Sequence, residues 1–118
     1  MAVTRATSWT NNTISANVNA PVRLKAVEIQ GNPTQGADCW LQIYNNNGPT
    51  LGTTAPDIVI PIYKPNSEDG KIRQKIPLGG LRLPTAFSWF ISSAANGSSN
   101  APSAANSPLS AQIFYEPA

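Results

Sequence analysis

Ala37-Asp38-Cys39-Trp40-Leu41-Gln42-Ile43-Tyr44-Asn45 decides the fold. Cys39, Leu41 and Ile43 fall on one face, and Asp38, Trp40, Gln42 and Tyr44 on the other. This is the period of a β-strand, whose successive side chains point to opposite faces. The Cys-Leu-Ile face predicts a core. The opposite face carries two large aromatics, so it is expected to be covered in part, by the fold itself or by a partner. Asn45-Asn46-Asn47-Gly48-Pro49 then supplies a turn, since Asn-Gly tolerates tight-turn backbone and Pro fixes the exit.

Working outward, Pro21-Val22-Arg23-Leu24-Lys25-Ala26-Val27-Glu28-Ile29-Gln30 reads as a strand whose alternation slips at Ala26-Val27. A β-bulge there would turn Val22, Leu24 and Ala26 inward together with Val27 and Ile29. Residues 57–63 form a strand with Ile58, Ile60 and Ile62 on one face. Pro61, which cannot donate a ladder hydrogen bond, places it at an edge or a strand end. Residues 71–76 alternate again, with Ile72 and Ile76 inward and Lys71, Arg73 and Lys75 outward. Residues 77–84 read as an irregular apolar crossing, and 86–93 as a strand with Phe87, Trp89 and Ile91 on one face. Residues 94–108 are nearly all Ala, Asn, Gly, Ser and Pro, a long aperiodic stretch of a kind that is usually functional or mobile. Residues 109–116 give a closing strand.

Residues 1–20 are thinly apolar and predict an extended N-terminal arm or a weak edge strand, ahead of a domain over 21–118. Trp9 favours an arm lying on a neighbouring subunit, because a Trp on a solvated tail would waste its apolar area. The pattern is six to eight short strands without a helix. It predicts an all-β, single-domain antiparallel β-sandwich or jelly roll.

The totals agree. One domain fits 118 residues, and charged residues make up only 12%, about half the usual share. Asn, Ser and Thr carry the polarity, with 11 Pro and 8 Gly, a composition that suits strands and turns and disfavours helices. The single cysteine can form no internal disulfide. Residues 2–8 lack the apolar core of a signal peptide, and no run is long enough for a membrane helix, so synthesis in a cytosol and no membrane partner are expected.

The chain has no histidine, which removes Ser-His-Asp triads, Cys-His pairs and His metal sites. Of the carboxylates, only Glu68 and Asp69 are adjacent, on a turn tip. Cys39, on an apolar face, reads as an inert thiol. Gly70-Lys71 lacks phosphate-loop spacing, and residues 66–70 lack calcium-loop spacing. No catalytic, cofactor or metal residue is therefore assigned, and no enzyme is expected. Lys71, Arg73 and Lys75 share one strand face, and Arg23 with Lys25 form a similar pair elsewhere. They are a candidate basic patch, weighed against an ordinary solvated face. With a net charge of +2 and no aromatics interleaved, nucleic acid is not the expected partner.

The run from Cys39 to Asn45 leads to Pro49-Thr50-Leu51-Gly52-Thr53-Thr54-Ala55-Pro56 and Ile58-Val59-Ile60-Pro61. Further on come Pro77-Leu78-Gly79-Gly80-Leu81-Arg82-Leu83 and a closing Gln112-Ile113-Phe114-Tyr115-Glu116. Over about residues 20–117 this cadence resembles the small all-β virion proteins of tailed bacteriophages, several of which are capsid decoration (cement) proteins and others head-fibre or tail components. The resemblance implies a non-catalytic subunit made in the host bacterial cytoplasm and carried on the virion. Its expected partners are itself, as a homotrimer, and the major capsid protein or another virion protein. Trp9, Ile14, Trp40 and Tyr44 are the candidate assembly contacts. A receptor- or carbohydrate-binding component, using ring faces such as Trp40, Tyr44 and Tyr63, is the alternative.

Overall fold

A computed structural model of the chain describes residues 1–11, 13–65, 72–94, 100–103 and 106–118. Lys71, the Glu68-Asp69 turn tip and part of the 94–108 stretch lie outside the described residues. Eight strands follow one another: β1 (Ala2–Ala6), β2 (Ala16–Val18), β3 (Val22–Gln30), β4 (Cys39–Tyr44), β5 (Ile58–Ile62), β6 (Arg73–Leu83), β7 (Phe87–Ser92) and β8 (Ser110–Pro117). No α-helix occurs among the described residues. The strands form two antiparallel four-stranded sheets, ordered β1-β8-β3-β6 and β2-β7-β4-β5.

The order has a simple rule. β1 pairs with β8, β2 with β7, β3 with β6 and β4 with β5. These are the pairs of one long hairpin whose tip is the β4–β5 connection. β8–β3 and β7–β4 contacts then close the two sheets.

The alternation of each strand sets its inner face. Val22, Leu24, Val27, Ile29, Ala111 and Ile113 of one sheet meet Leu41, Ile43, Ile62, Phe87, Trp89 and Ile91 of the other in one buried cluster. Phe87 and Tyr115 bridge the sheets edge-to-face at 5.8 Å, a preferred aromatic geometry. Trp89 Nε1–H donates to Thr4 Oγ1 at 3.2 Å, tying β7 to β1 across the core.

Two irregularities shape the first sheet. The register of β3 shifts between Leu24 and Ala26 against both neighbours, so the bulge expected at Ala26-Val27 falls at Lys25, and Ala26 turns outward beside Phe114 and Pro77. Opposite it, β6 accommodates Leu78-Gly79-Gly80, where Gly79 (φ 65°) and Gly80 (φ 79°) take backbone conformations that other residues adopt only under strain. Residues 77–83, expected as an irregular crossing, are therefore the second half of one long bulged strand. Burial alternates from Arg73 to Leu81, which is exposed, and the alternation breaks at Arg82 before Leu83 returns to the core.

The N-terminal segment is not an extended arm. β1 and β2 are edge strands, one on each sheet. The chain between them carries Trp9 over the core, where it meets Trp89 edge-to-face at 6.0 Å.

Candidate functional site

The two outer faces differ. On the β2-β7-β4-β5 sheet, the chain itself covers the face opposite the core over β7 and β4, while Asn17 and Val59 on the two edge strands are exposed. Tyr44 and Phe90 project there and form a second buried cluster with Leu51, against which Ile14 and Ala101 pack. Leu51 is the apolar anchor of the 45–57 connection, which folds back over the sheet. The Tyr44 hydroxyl donates to Gln42 Oε1 at 2.6 Å, and Gln42 Nε2 donates to the Ala94 carbonyl at 3.2 Å. Burial raises the Tyr44 hydroxyl pKa above its ordinary value. Tyr44 and Gln42 are fully buried.

The four candidate assembly contacts differ in exposure. Tyr44 has no exposed surface, because Leu51, Ile14 and Ala101 enclose its ring and Gln42 of its own strand accepts from its hydroxyl. Trp9 and Ile14 are half-buried in the protomer's two clusters. Trp40 is half-buried beside Pro61 and Ser92, and Tyr63 is exposed at the end of β5. The ring platform of the alternative reading is therefore reduced to these two.

The outer face of the β1-β8-β3-β6 sheet lies open. Register places its side chains in rows. Val3, Phe114, Ala26 and Pro77 are successive cross-strand partners, an apolar row through the middle of the face. On one side runs Arg5, Gln112, Glu28 and Lys75. On the other, Glu116, Arg23 and Arg82 follow one another, and the bulged Lys25 reaches Glu116 at 3.3 Å in an ion pair. Arg73 lies beyond, with Nε donating to Gln30 Oε1 at 3.2 Å. The face thus gathers Arg5, Arg23, Lys25, Arg73, Lys75 and Arg82 against Glu28 and Glu116, in a chain of 8 cationic side chains and a net charge of +2.

Arg73 and Lys75 share a face as expected. Arg23 and Lys25, read as a separate pair, join them because β3 lies beside β6. Arg5 and Arg82 were missed. Each is a single cation in its own segment, and only the strand order makes them neighbours of the rest.

A second feature is a cleft of about 250 Å³ at one end of the sandwich, lined by uncharged residues that include Trp9, Asn32, Ser107 and Leu109. Trp9 Nε1 is buried without a hydrogen-bond partner.

Cys39 is fully buried. Its thiol pKa is pushed up to about 12, chiefly by desolvation and further by the nearby Asp38 carboxylate, against a weak hydrogen bond from Gln35. A thiol held neutral in this way is a poor nucleophile. Asp38 and Asp57 accept backbone N–H groups of Lys64 and Asn45, each at 2.7 Å, so both carboxylates brace turns. No group of three or more potential metal ligands occurs among the described residues.

Compared with family models, curated proteins and solved structures, the chain matches none.

Proposed function

We propose that this chain is a structural component of a tailed-bacteriophage virion: a capsid decoration protein that docks on the head shell and bridges neighbouring capsid subunits, working as a homotrimer. The nested strand pairing is read here as the two-Greek-key arrangement of a jelly roll. The observation that carries the proposal is the one-sided closure of the sandwich. One outer face is sealed by Leu51, Tyr44 and Phe90, while the other is left open with an apolar row between charged rows. An apolar centre inside a polar rim is the anatomy of a docking surface. This face, to which the N-terminal segment contributes Val3 and Arg5, takes the particle contact from Trp9.

Mass spectrometry of gradient-purified particles, from cells in which the gene is expressed by its phage, tests this. The chain is expected in the head fraction at a fixed ratio to the major capsid protein. Its absence from every particle fraction would overturn the proposal. Sedimentation of the purified chain is expected to give a trimer, and a monomer at all concentrations would remove the trimer.

The alternative, a receptor- or carbohydrate-binding component of the virion, is favoured by the uncharged cleft beside Trp9. Ring, amide and hydroxyl groups without charge suit a neutral sugar. A glycan array with no response would count against it.

A further inference from the structure

We infer that the open β1-β8-β3-β6 face docks on an acidic surface of a partner protein. This inference rests on the proposed docking role of that face and names the chemistry of its partner.

The charge is concentrated. Six cations and two carboxylates face outward here, so the face is far more positive per residue than the chain as a whole. Asp38 and Asp57 lie on the other sheet's connections and do not offset it. The pairing within the face also leaves charge unspent. Arg23 and Arg82 are directly opposite cross-strand partners, an arrangement that destabilises a sheet when both carry the same charge. Glu116 flanks Arg23 on its other side, but its carboxylate is engaged by Lys25 at 3.3 Å. Neither arginine has an ion pair among the described residues. Two adjacent guanidiniums present planar donors suited to carboxylates.

Carboxylates and phosphates could both meet that demand. The apolar row decides between them. Val3 is 50% exposed and runs through Phe114 and Ala26 to Pro77 between the charged rows. A polyphosphate backbone has nothing to bury there. Glu28 and Glu116 within the face would repel phosphate, whereas a mixed pattern of charges fixes register on a protein partner. Four strands of 5, 8, 9 and 11 residues, about 4.8 Å apart, present on the order of 500 Å². That is less than the ~800 Å² per partner of a stable binary complex. A single copy would bind weakly, and hold would come from several linked copies engaging together.

The test uses the purified full chain at low salt with two probes, poly-L-glutamate and a duplex oligonucleotide of matched charge. Poly-L-glutamate is expected to bind and to perturb backbone amides on β1, β3, β6 and β8. Arg23→Gln/Arg82→Gln is expected to weaken it about tenfold, as removal of complementary charge does. Thr53→Glu/Ala55→Glu lowers the net charge by the same amount on the sealed side and is expected to change affinity by less than about twofold. Equal weakening by both variants would reduce the effect to net charge and overturn the inference. Tighter binding of the oligonucleotide, no binding of poly-L-glutamate, or perturbations outside the four strands would also overturn it. The amide map covers the case in which the arginine variant fails to fold. Poly-L-glutamate binding by a chain absent from virions would retain the acidic partner and discard the virion role; the reverse result would do the opposite.

Discussion

Thr4 holds the indole of Trp89 by its hydroxyl from across the core. Thr4→Val removes the acceptor and keeps the shape, so a buried donor loses its partner. A loss of about 1–3 kcal/mol is expected in urea unfolding, with Thr4→Ser close to the parent. Cys39 gives a pH-dependent test. Its thiol ionises near 9 when unfolded and near 12 when folded. Stability from this group is therefore whole below pH 9 and falls as pH rises towards 12, because unfolding there releases a proton. The slope should reach about 1.4 kcal/mol per pH unit, and the raised Tyr44 pKa adds in the same direction above pH 10. Urea midpoints across pH 7–11 should fall more shallowly in Cys39→Ala than in the parent. At this scale much was legible: period alone put Cys39, Leu41 and Ile43 in the core. Period could not say what covers the other face, so Tyr44 was expected at a contact when Leu51, Ile14 and Ala101 enclose it.

The β3 bulge and the Gly79-Gly80 irregularity of β6 face one another, and the glycines belong to a single structural decision. No protein atom lies within 4 Å of a Cβ built on Gly79, and the nearest to one on Gly80 is Lys25 Nζ at 3.9 Å. Alanine would fit at either site, so its cost is backbone strain. Gly79→Ala and Gly80→Ala are each expected to destabilise by about 1–3 kcal/mol in urea or thermal unfolding. Gly48→Ala, also in open space but without positive φ, should stay within about 0.5 kcal/mol. The slip in alternation at Ala26-Val27 was readable because apolar residues changed parity within one strand. The continuity of β6 through Pro77 and two glycines was not, since each is ordinarily a strand breaker. The edge strands carry their own expectation. Removing residues 1–18 deletes β1, β2, Trp9 and Ile14 and uncovers both clusters. It should cost at least about 3 kcal/mol, the lower range for losing one buried aromatic side chain, with broadened thermal melting. A truncated chain as stable as the parent would restore the independent arm.

Strand order governs what could be read of the molecule as a whole. A sandwich of six to eight short strands followed from the number and spacing of alternating runs. The open basic face did not, because Arg5, Arg23 and Arg82 become neighbours only when β1 and β6 take the two edges of one sheet around β8 and β3. Non-local pairing also sets folding speed. With β1 joined to β8 and β2 to β7, loop closure precedes most native contacts. Single-jump refolding is expected in milliseconds to seconds, and a microsecond phase carrying the full amplitude would contradict the pairing.

The nested pairing also imposes an order on biosynthesis. β8 is the interior strand that joins β1 to β3, yet it is made after both. A ribosome that has produced β1 through β7 has delivered every partner of the second sheet and left the first divided, with β1 lacking its only neighbour. Until β8 follows, the inner faces of β1 and β3 lack Ala111 and Ile113, which complete their side of the core. A nonsense mutation just before Ser110 would therefore leave β1 without a partner and β3 paired with β6 alone.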